Sequence, residues 1–303
     1  MERFSTIVRH ILLPLVLAAA LGSCSEDNSN IQLGGGRGGG QGPVVIGQGK
    51  ERLEVPRMTD GDLFISHWST EQGKSVMTYC LAYVRQKFHS RWVAFRFDSA
   101  TRPKTVSRKP YEQKPQYPAD PELPAAFALP DDISFNGYDH GHLCASADRL
   151  YSRTANDNTF YLTNMSPQTG NFNSKYWTGF ESFVQEKGRS TAFCDTLYVV
   201  KGGTIADGQT LRYVAGSRMP VPKYYFIALL KVKNKAYNAI AFWVEHKDYG
   251  STSPTTERLA SHAVSVDRLE ELTGIDFFHN LPDAVEKAVE ERCDLASWGL
   301  TSN

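Results

Sequence analysis

Four side chains with complementary chemistry lie close together in this chain: His142, Asn164, Asn173 and Glu181. His142 closes the run Asp139-His140-Gly141-His142, and Asn164 sits in Thr163-Asn164-Met165-Ser166-Pro167-Gln168. Asn173 precedes Trp177 and Glu181. An imidazole with an ordinary pKa of about 6.5 can accept a proton near neutrality. An asparagine carbonyl oxygen suits Mg²⁺, which keeps several of its waters because it dehydrates reluctantly. A glutamate can hold one of those waters without touching the ion. This is the inventory of a metal-assisted hydrolase that activates water with a histidine. His140 and His142 alone could suggest a zinc pair, but no further His or Cys completes a zinc set nearby.

The elements that must carry these residues follow from periodicity. Tyr176, Trp177, Phe180, Phe183 and Val184 recur at helical intervals and predict an amphipathic helix over 174–187. Asn173 then stands just before its start, and Glu181 lies two turns on, roughly 12 Å along the axis. That separation favours an indirect, water-mediated role for Glu181. Each residue also has a structural reading. Asn173 could be an N-cap, Asn164 a turn residue and Glu181 a solvated helix charge.

The order and spacing of these boxes resemble the DNA/RNA non-specific endonucleases of the ββα-metal superfamily, the endonuclease G-like group. The family signature is an Asp-Arg-Gly-His box, an Asn-x-x-Pro-Gln box, then Asn, Trp and Glu on a helix. The likeness runs from about Asp60 to the C-terminus. It implies His142 as general base, Asn173 as the ligand of Mg²⁺ (or Mn²⁺) and Glu181 as anchor of a metal-bound water. It implies Asn164 as a support that orients the site. Arg149, in Ala147-Asp148-Arg149, is grouped with the substrate-binding residues, as is His140, which stands where the family has arginine. The family also holds the substrate phosphate with an arginine ahead of an Asp-Pro pair. Arg108, ahead of Asp120-Pro121, matches best, with Arg102 as the alternative. The implied fold is α/β (α+β): a central, mostly antiparallel twisted sheet, helices on both faces, and a ββα-metal finger. The implied reaction is phosphodiester hydrolysis in DNA and RNA, through backbone contacts. A related nucleotide phosphodiesterase and a weakly active nucleic-acid-binding surface lipoprotein are the alternatives.

The rest of the chain fits an exported enzyme. It has 303 residues and a formal net charge of +0, which argues against a broad electrostatic surface for nucleic acid. The stretch 91–114 is nevertheless clearly basic. Arg3 and Arg9 precede an apolar run, Ile11 to Leu21, too short for a comfortable membrane span. The run ends in Leu21-Gly22-Ser23-Cys24, which resembles a lipobox. Residues 1–23 therefore read as a lipoprotein signal peptide and Cys24 as a lipidated membrane anchor at the outer membrane or cell surface. Residues 24–55, centred on a glycine run at 34–40, read as a flexible tether, and 56–303 as the enzyme domain. Strands are predicted at 77–84 and 91–97, paired as a hairpin, and at 196–202, 223–233 and 235–245. Helices are predicted at 266–274 and 283–292. Cys80, Cys144, Cys194 and Cys293 form an even set, which suggests two disulfides with three possible connectivities, of which Cys80–Cys144 with Cys194–Cys293 is the pairing expected here. If His140 faces phosphate while His142 acts as base, the rate should follow a narrow bell near neutral pH.

Overall fold

The computed structural model describes residues 49–216 and 218–301. The signal segment, Cys24 and the glycine run lie outside these residues. Among the described residues eleven strands are formed: β1 (Leu63–Glu71), β2 (Lys74–Val84), β3 (His89–Phe97), β4 (Asp139–His142), β5 (Met165–Gln168), β6 (Thr196–Gly203), β7 (Thr210–Val214), β8 (Met219–Pro222), β9 (Tyr224–Lys233), β10 (Ala236–Glu245) and β11 (Ala263–Val264). Five α-helices accompany them: α1 (Arg153–Asn158), α2 (Thr178–Arg189), α3 (Thr256–Ala260), α4 (Val266–Thr273) and α5 (Asp283–Glu290). The main sheet has seven strands in the order β1-β2-β3-β6-β9-β10-β11, and every pairing is antiparallel. The predicted hairpin is β2–β3, and β1 extends it.

Helices cover both faces of this sheet, so its strands read as near-continuous apolar runs rather than as an alternation. Side-chain alternation divides the core in two. Tyr79, Leu81, Val93, Phe95 and Phe97 pack beneath α2, against Phe180, Phe183 and Val184. Cys80, Ala82, Trp92 and Ala94 face the other way, with Val266 and Leu269 of α4 and Phe277 and Phe278 beyond it. Burying each such large apolar side chain contributes about 1.5–3 kcal/mol. α2 lies very close to β3: a Cβ on Gly188 would come within 2.4 Å of the Phe97 ring. Residues 49–55, which composition assigns to the tether, are packed. Val55 is buried with the α4 face, and Asn280 Nδ2 donates to the Lys50 and Arg52 carbonyls, each at 3.0 Å.

Two small sheets stand outside the main one, β4–β5 and β7–β8. They share a third apolar cluster that includes Phe135, Leu162, Met165, Val214, Met219 and Val221. β4 and β5 lead by way of a π-helical turn, Phe172–Trp177, into α2. This strand pair plus helix is the finger expected from the sequence. The predicted helix at 174–187 is thus a wide turn followed by a regular helix, a junction that recurs at functional sites.

The predicted disulfides are not formed. All four described cysteines are free. Cys80 and Cys144 belong to clusters on opposite faces of the main sheet, so the strand layer separates them. Cys194 is buried on the α2 side, with its thiol 3.4 Å from the Lys187 carbonyl, whereas Cys293 is exposed beyond α5. Alkylation without reductant should therefore label Cys293 in the native protein and Cys80, Cys144 and Cys194 only after denaturation. Peptide mass mapping checks this, and a bridged peptide pair would overturn it.

Candidate active site

The site is built on the finger. β4 pairs with β5 so that Asp139 opposes Gln168 and His142 opposes Met165. Gly141 is required here by space: a Cβ would meet the Gln168 side chain at 2.3 Å. With period-2 alternation, His140 and His142 share one face of β4 and Asp139 the other. Asn164 locks the end of the strand. Its Oδ1 accepts from Cys144 N at 2.8 Å, and its Nδ2 donates to Cys144 O at 2.8 Å and Thr159 O at 2.7 Å. Its backbone carbonyl accepts from Leu143 N. Asn164 is fully buried, with its side chain committed to these backbone contacts.

His142 meets Phe160 edge-on at 5.0 Å and Tyr117 at 6.3 Å. Its Nε2 is buried and has no hydrogen-bond partner. Burial, helped by the positive charge of Arg108 and by His140, pushes its pKa down to about 3. His142 is therefore neutral across the physiological range, with its Nε2 uncommitted. Arg108 is brought to the same place: its guanidinium lies 3.8 Å from the Tyr111 ring centre and 4.8 Å from that of Phe160. Such cation–π contacts hold a guanidinium without neutralising it. Arg102, the alternative, is turned away and donates to the Asp195 carbonyl at 2.5 Å.

His140 is held differently from an arginine at a phosphate. Its ring is stacked between Tyr117 and Phe135, each at 4.1 Å, and its Nε2 donates to the Ile133 carbonyl at 2.8 Å. Burial lowers its pKa. His140 thus forms an uncharged wall of the site.

Asn173 sits on the π-helical turn after β5, beside the start of β4. Its Nδ2 donates to Asp139 Oδ2 at 3.0 Å, which leaves the amide oxygen for a cation, beside a carboxylate. That pair of oxygen donors suits a hard divalent ion. Glu181 lies in the first turn of α2, where the helix dipole favours negative charge. Beneath it, fully buried Lys201 of β6 donates to Asp148 Oδ2 at 3.0 Å. Burial pushes the Glu181 pKa up to about 7, against the pull of Lys201 and with the repulsion of Asp148. Burial would lower Lys201, but Asp148 and Glu181 raise it above its ordinary value, so it stays charged.

Arg149 does not face substrate. Its guanidinium is fully buried over Phe95 and Phe97, at 4.6 and 4.8 Å, and donates to the Arg96 carbonyl at 2.9 Å. The short turn at Ser146–Asp148 carries it beneath the finger and into the core. Lys201 and Asp148 were not singled out from the sequence. A lysine inside the apolar run Leu197-Tyr198-Val199-Val200-Lys201 was the available signal. Tyr117 and Phe160 escaped because only the fold shows which aromatics line a site.

Residues 60–284 match the family described as DNA/RNA non-specific endonuclease. The chain belongs to that family. Members of this family are metal-dependent nucleases that cleave DNA and RNA without sequence specificity. A nuclease of Nostoc sp. is 28% identical over 225 residues, which cover 71% of this chain and 76% of that protein. A nuclease of Syncephalastrum racemosum is 30% identical over 221 residues, 67% of this chain and 66% of its own. Among solved structures, a chain of the EndoG/EndoGI complex aligns with a TM-score of 0.58 at 19% identity, covering 73% of this chain and 89% of that one. That likeness supports the fold. The nuclease also carries one trio of carboxylates with metal-ligand spacing among the described residues, Asp267, Glu270 and Glu290, on α4 and α5.

Two predictions separate support from chemistry. Arg149→Ala should lose about 2–4 kcal/mol of stability, because it removes a guanidinium packed over Phe95 and Phe97 and its hydrogen bond to the Arg96 carbonyl, while activity per folded molecule is retained. Arg108→Ala should change stability by less than about 1 kcal/mol yet raise KM. Urea denaturation and steady-state kinetics on both variants test this. For Glu181, a folded pKa above the ordinary 4.5 means that the native state binds more protons between the two values. Stability from this group is therefore present below pH 4.5 and lost as pH rises through about 7. In EDTA at pH 8, Glu181→Gln should be more stable than wild type by about 1–3 kcal/mol, while losing activity in Mg²⁺. Equal stability would show that the carboxylate is not destabilised.

Proposed function

We propose that the protein hydrolyses phosphodiester bonds of DNA and RNA with His142 as general base. The observation that carries this reading is the neutral His142, its Nε2 unpartnered, beside the uncompensated charge of Arg108. Water gives a proton to the imidazole as its oxygen bonds to phosphorus, and the P–O bond to the leaving sugar oxygen breaks, that oxygen taking up a proton from a second water. Arg108 holds the scissile phosphate. Asn173, with Asp139 behind it, would hold Mg²⁺ or, in its place, Mn²⁺. That ion supplies neutralisation of the charge that develops on the phosphate and leaving oxygens. Glu181, kept in reach of ionisation by Lys201, orients water at the site. Asn164 holds the strand end so that the imidazole keeps its aim. Contacts of this kind read backbone rather than bases, so cleavage should be indifferent to sequence.

Plasmid DNA and ribosomal RNA should both be degraded in Mg²⁺ and neither in EDTA. General-base catalysis contributes roughly 10²–10⁴-fold, so folded His142→Ala should lose at least that much. Near-wild-type cleavage by that variant would end the proposal. Burial holds both histidines below 6.5, so the rate should not follow the narrow bell near neutrality expected from the sequence. His140→Arg should leave the shape of the pH–rate profile unchanged. A profile extended to higher pH would instead put His140 on the phosphate.

Export and anchoring through lipidated Cys24 form part of the same reading and rest on the segment Leu21-Gly22-Ser23-Cys24. Such an enzyme would degrade nucleic acid at the cell surface, for nutrients or defence. Wild type should enter the detergent phase on partitioning and Cys24→Ser should not. Identical partitioning would remove the anchor.

A further inference from the structure

Glu290 is the most anomalous carboxylate among the described residues. It ends α5, where the helix dipole disfavours negative charge. It is only 3% exposed, and its Oε1 is buried with no hydrogen-bond partner. The charged groups that act on it are Glu270, Glu286, Asp267 and Asp276, all acidic. Nearby Arg57 is committed to Asp276 at 2.5 Å, and Arg268 to Glu271 at 2.6 Å. An unpaired buried carboxylate costs several kcal/mol unless it is neutralised by a proton or a cation.

The geometry around it suits a cation. One oxygen each from Asp267, Glu270 and Glu290 lie within 4.8 Å of one another. Asp267 and Glu270 are three residues apart on α4 and so share a face, which meets the end of α5. Glu270 is braced: its Oε1 accepts from Phe277 N at 2.7 Å, which leaves its second oxygen available. Three protein carboxylates side by side suit Ca²⁺, which takes many protein oxygens, better than Mg²⁺, which keeps most of its waters. An all-carboxylate set selects hard cations.

We propose that Asp267, Glu270 and Glu290 form a Ca²⁺-type divalent-cation site that staples α4 to α5. It lies on the sheet face opposite α2 and is separate from the finger. It is a structural site, since neither helix contributes to the Arg108–His142 group. Binding there would stabilise the folded state by mass action.

Equilibrium dialysis against Ca²⁺ and thermal unfolding in CaCl₂ or EDTA test this. Glu290→Gln should bind one Ca²⁺ fewer than wild type. Ca²⁺ should raise the Tm of wild type by several degrees but not that of Glu290→Gln, which should retain Mg²⁺-dependent nuclease activity. Equal Ca²⁺ stoichiometry and equal Tm shifts in the two proteins would overturn the site. A Tm indifferent to Ca²⁺ in wild type would also overturn it, and would mean that Glu290 is neutralised by a proton alone. Should Glu290→Gln fail to fold, Asp267→Asn is read in the same way.

Discussion

A charged lysine at the centre of the main sheet sets the terms for the whole active-site face. Lys201 has no access to water, so its charge must be met by protein. Asp148 meets it directly at 3.0 Å, and Glu181 adds its field from above. Three elements therefore converge on one ammonium group: β6 of the sheet, the turn that follows β4, and the first turn of α2. Removing Lys201 or Asp148 would leave its partner buried and uncompensated, whereas neutralising Glu181 leaves that ion pair intact. The same arrangement keeps Glu181 near the balance between charged and neutral. A carboxylate poised there can respond to a cation or phosphate arriving beside it.

Positioning in the finger is otherwise achieved with neutral groups. Asn164 ties Cys144 to the Thr159 turn with three side-chain hydrogen bonds, two of them to a single residue. Gly141 lets β5 approach closely enough for Gln168 to lie over the strand. Tyr117, Phe135 and Phe160 then fill the space around the two histidines. The result is an aromatic setting in which a neutral His142 stands near the Arg108 guanidinium. An anion entering it would meet one strong attraction and one available base. Net charge is irrelevant at that scale, which is why a formally neutral chain can bind a polyanion.

The two faces of the sheet have different tasks. The face under α2 carries the finger and its charges. The face under α4 and α5 carries no part of the finger, and its own unbalanced carboxylates concern how those two helices are held together. Strand alternation separates the two chemistries by one backbone layer, as it separates Cys80 from Cys144.

Much of this was legible in the linear chain. The apolar runs at 196–202, 223–233 and 235–245 and the 3.6-residue pattern after Ser174 located the sheet and the central helix, because hydrophobic period reports local geometry directly. The boxes around His142, Asn164, Asn173 and Glu181 carried the family, because their order and spacing are themselves sequence properties. What the sequence could not determine was direction in space. Arg149 and Arg108 are both arginines near the boxes, yet a short turn sends one into the core while aromatic rings hold the other at the site. His140 and His142 are neighbours on one strand face, yet one is committed to a backbone carbonyl and the other is not. Cys80 and Cys144 looked like partners until the sheet came between them. Lys201, Tyr117 and Phe160 joined the site only by folding. Burial, pairing and the resulting pKa values depend on which atoms surround a group, and that is decided by contacts between residues far apart in the chain.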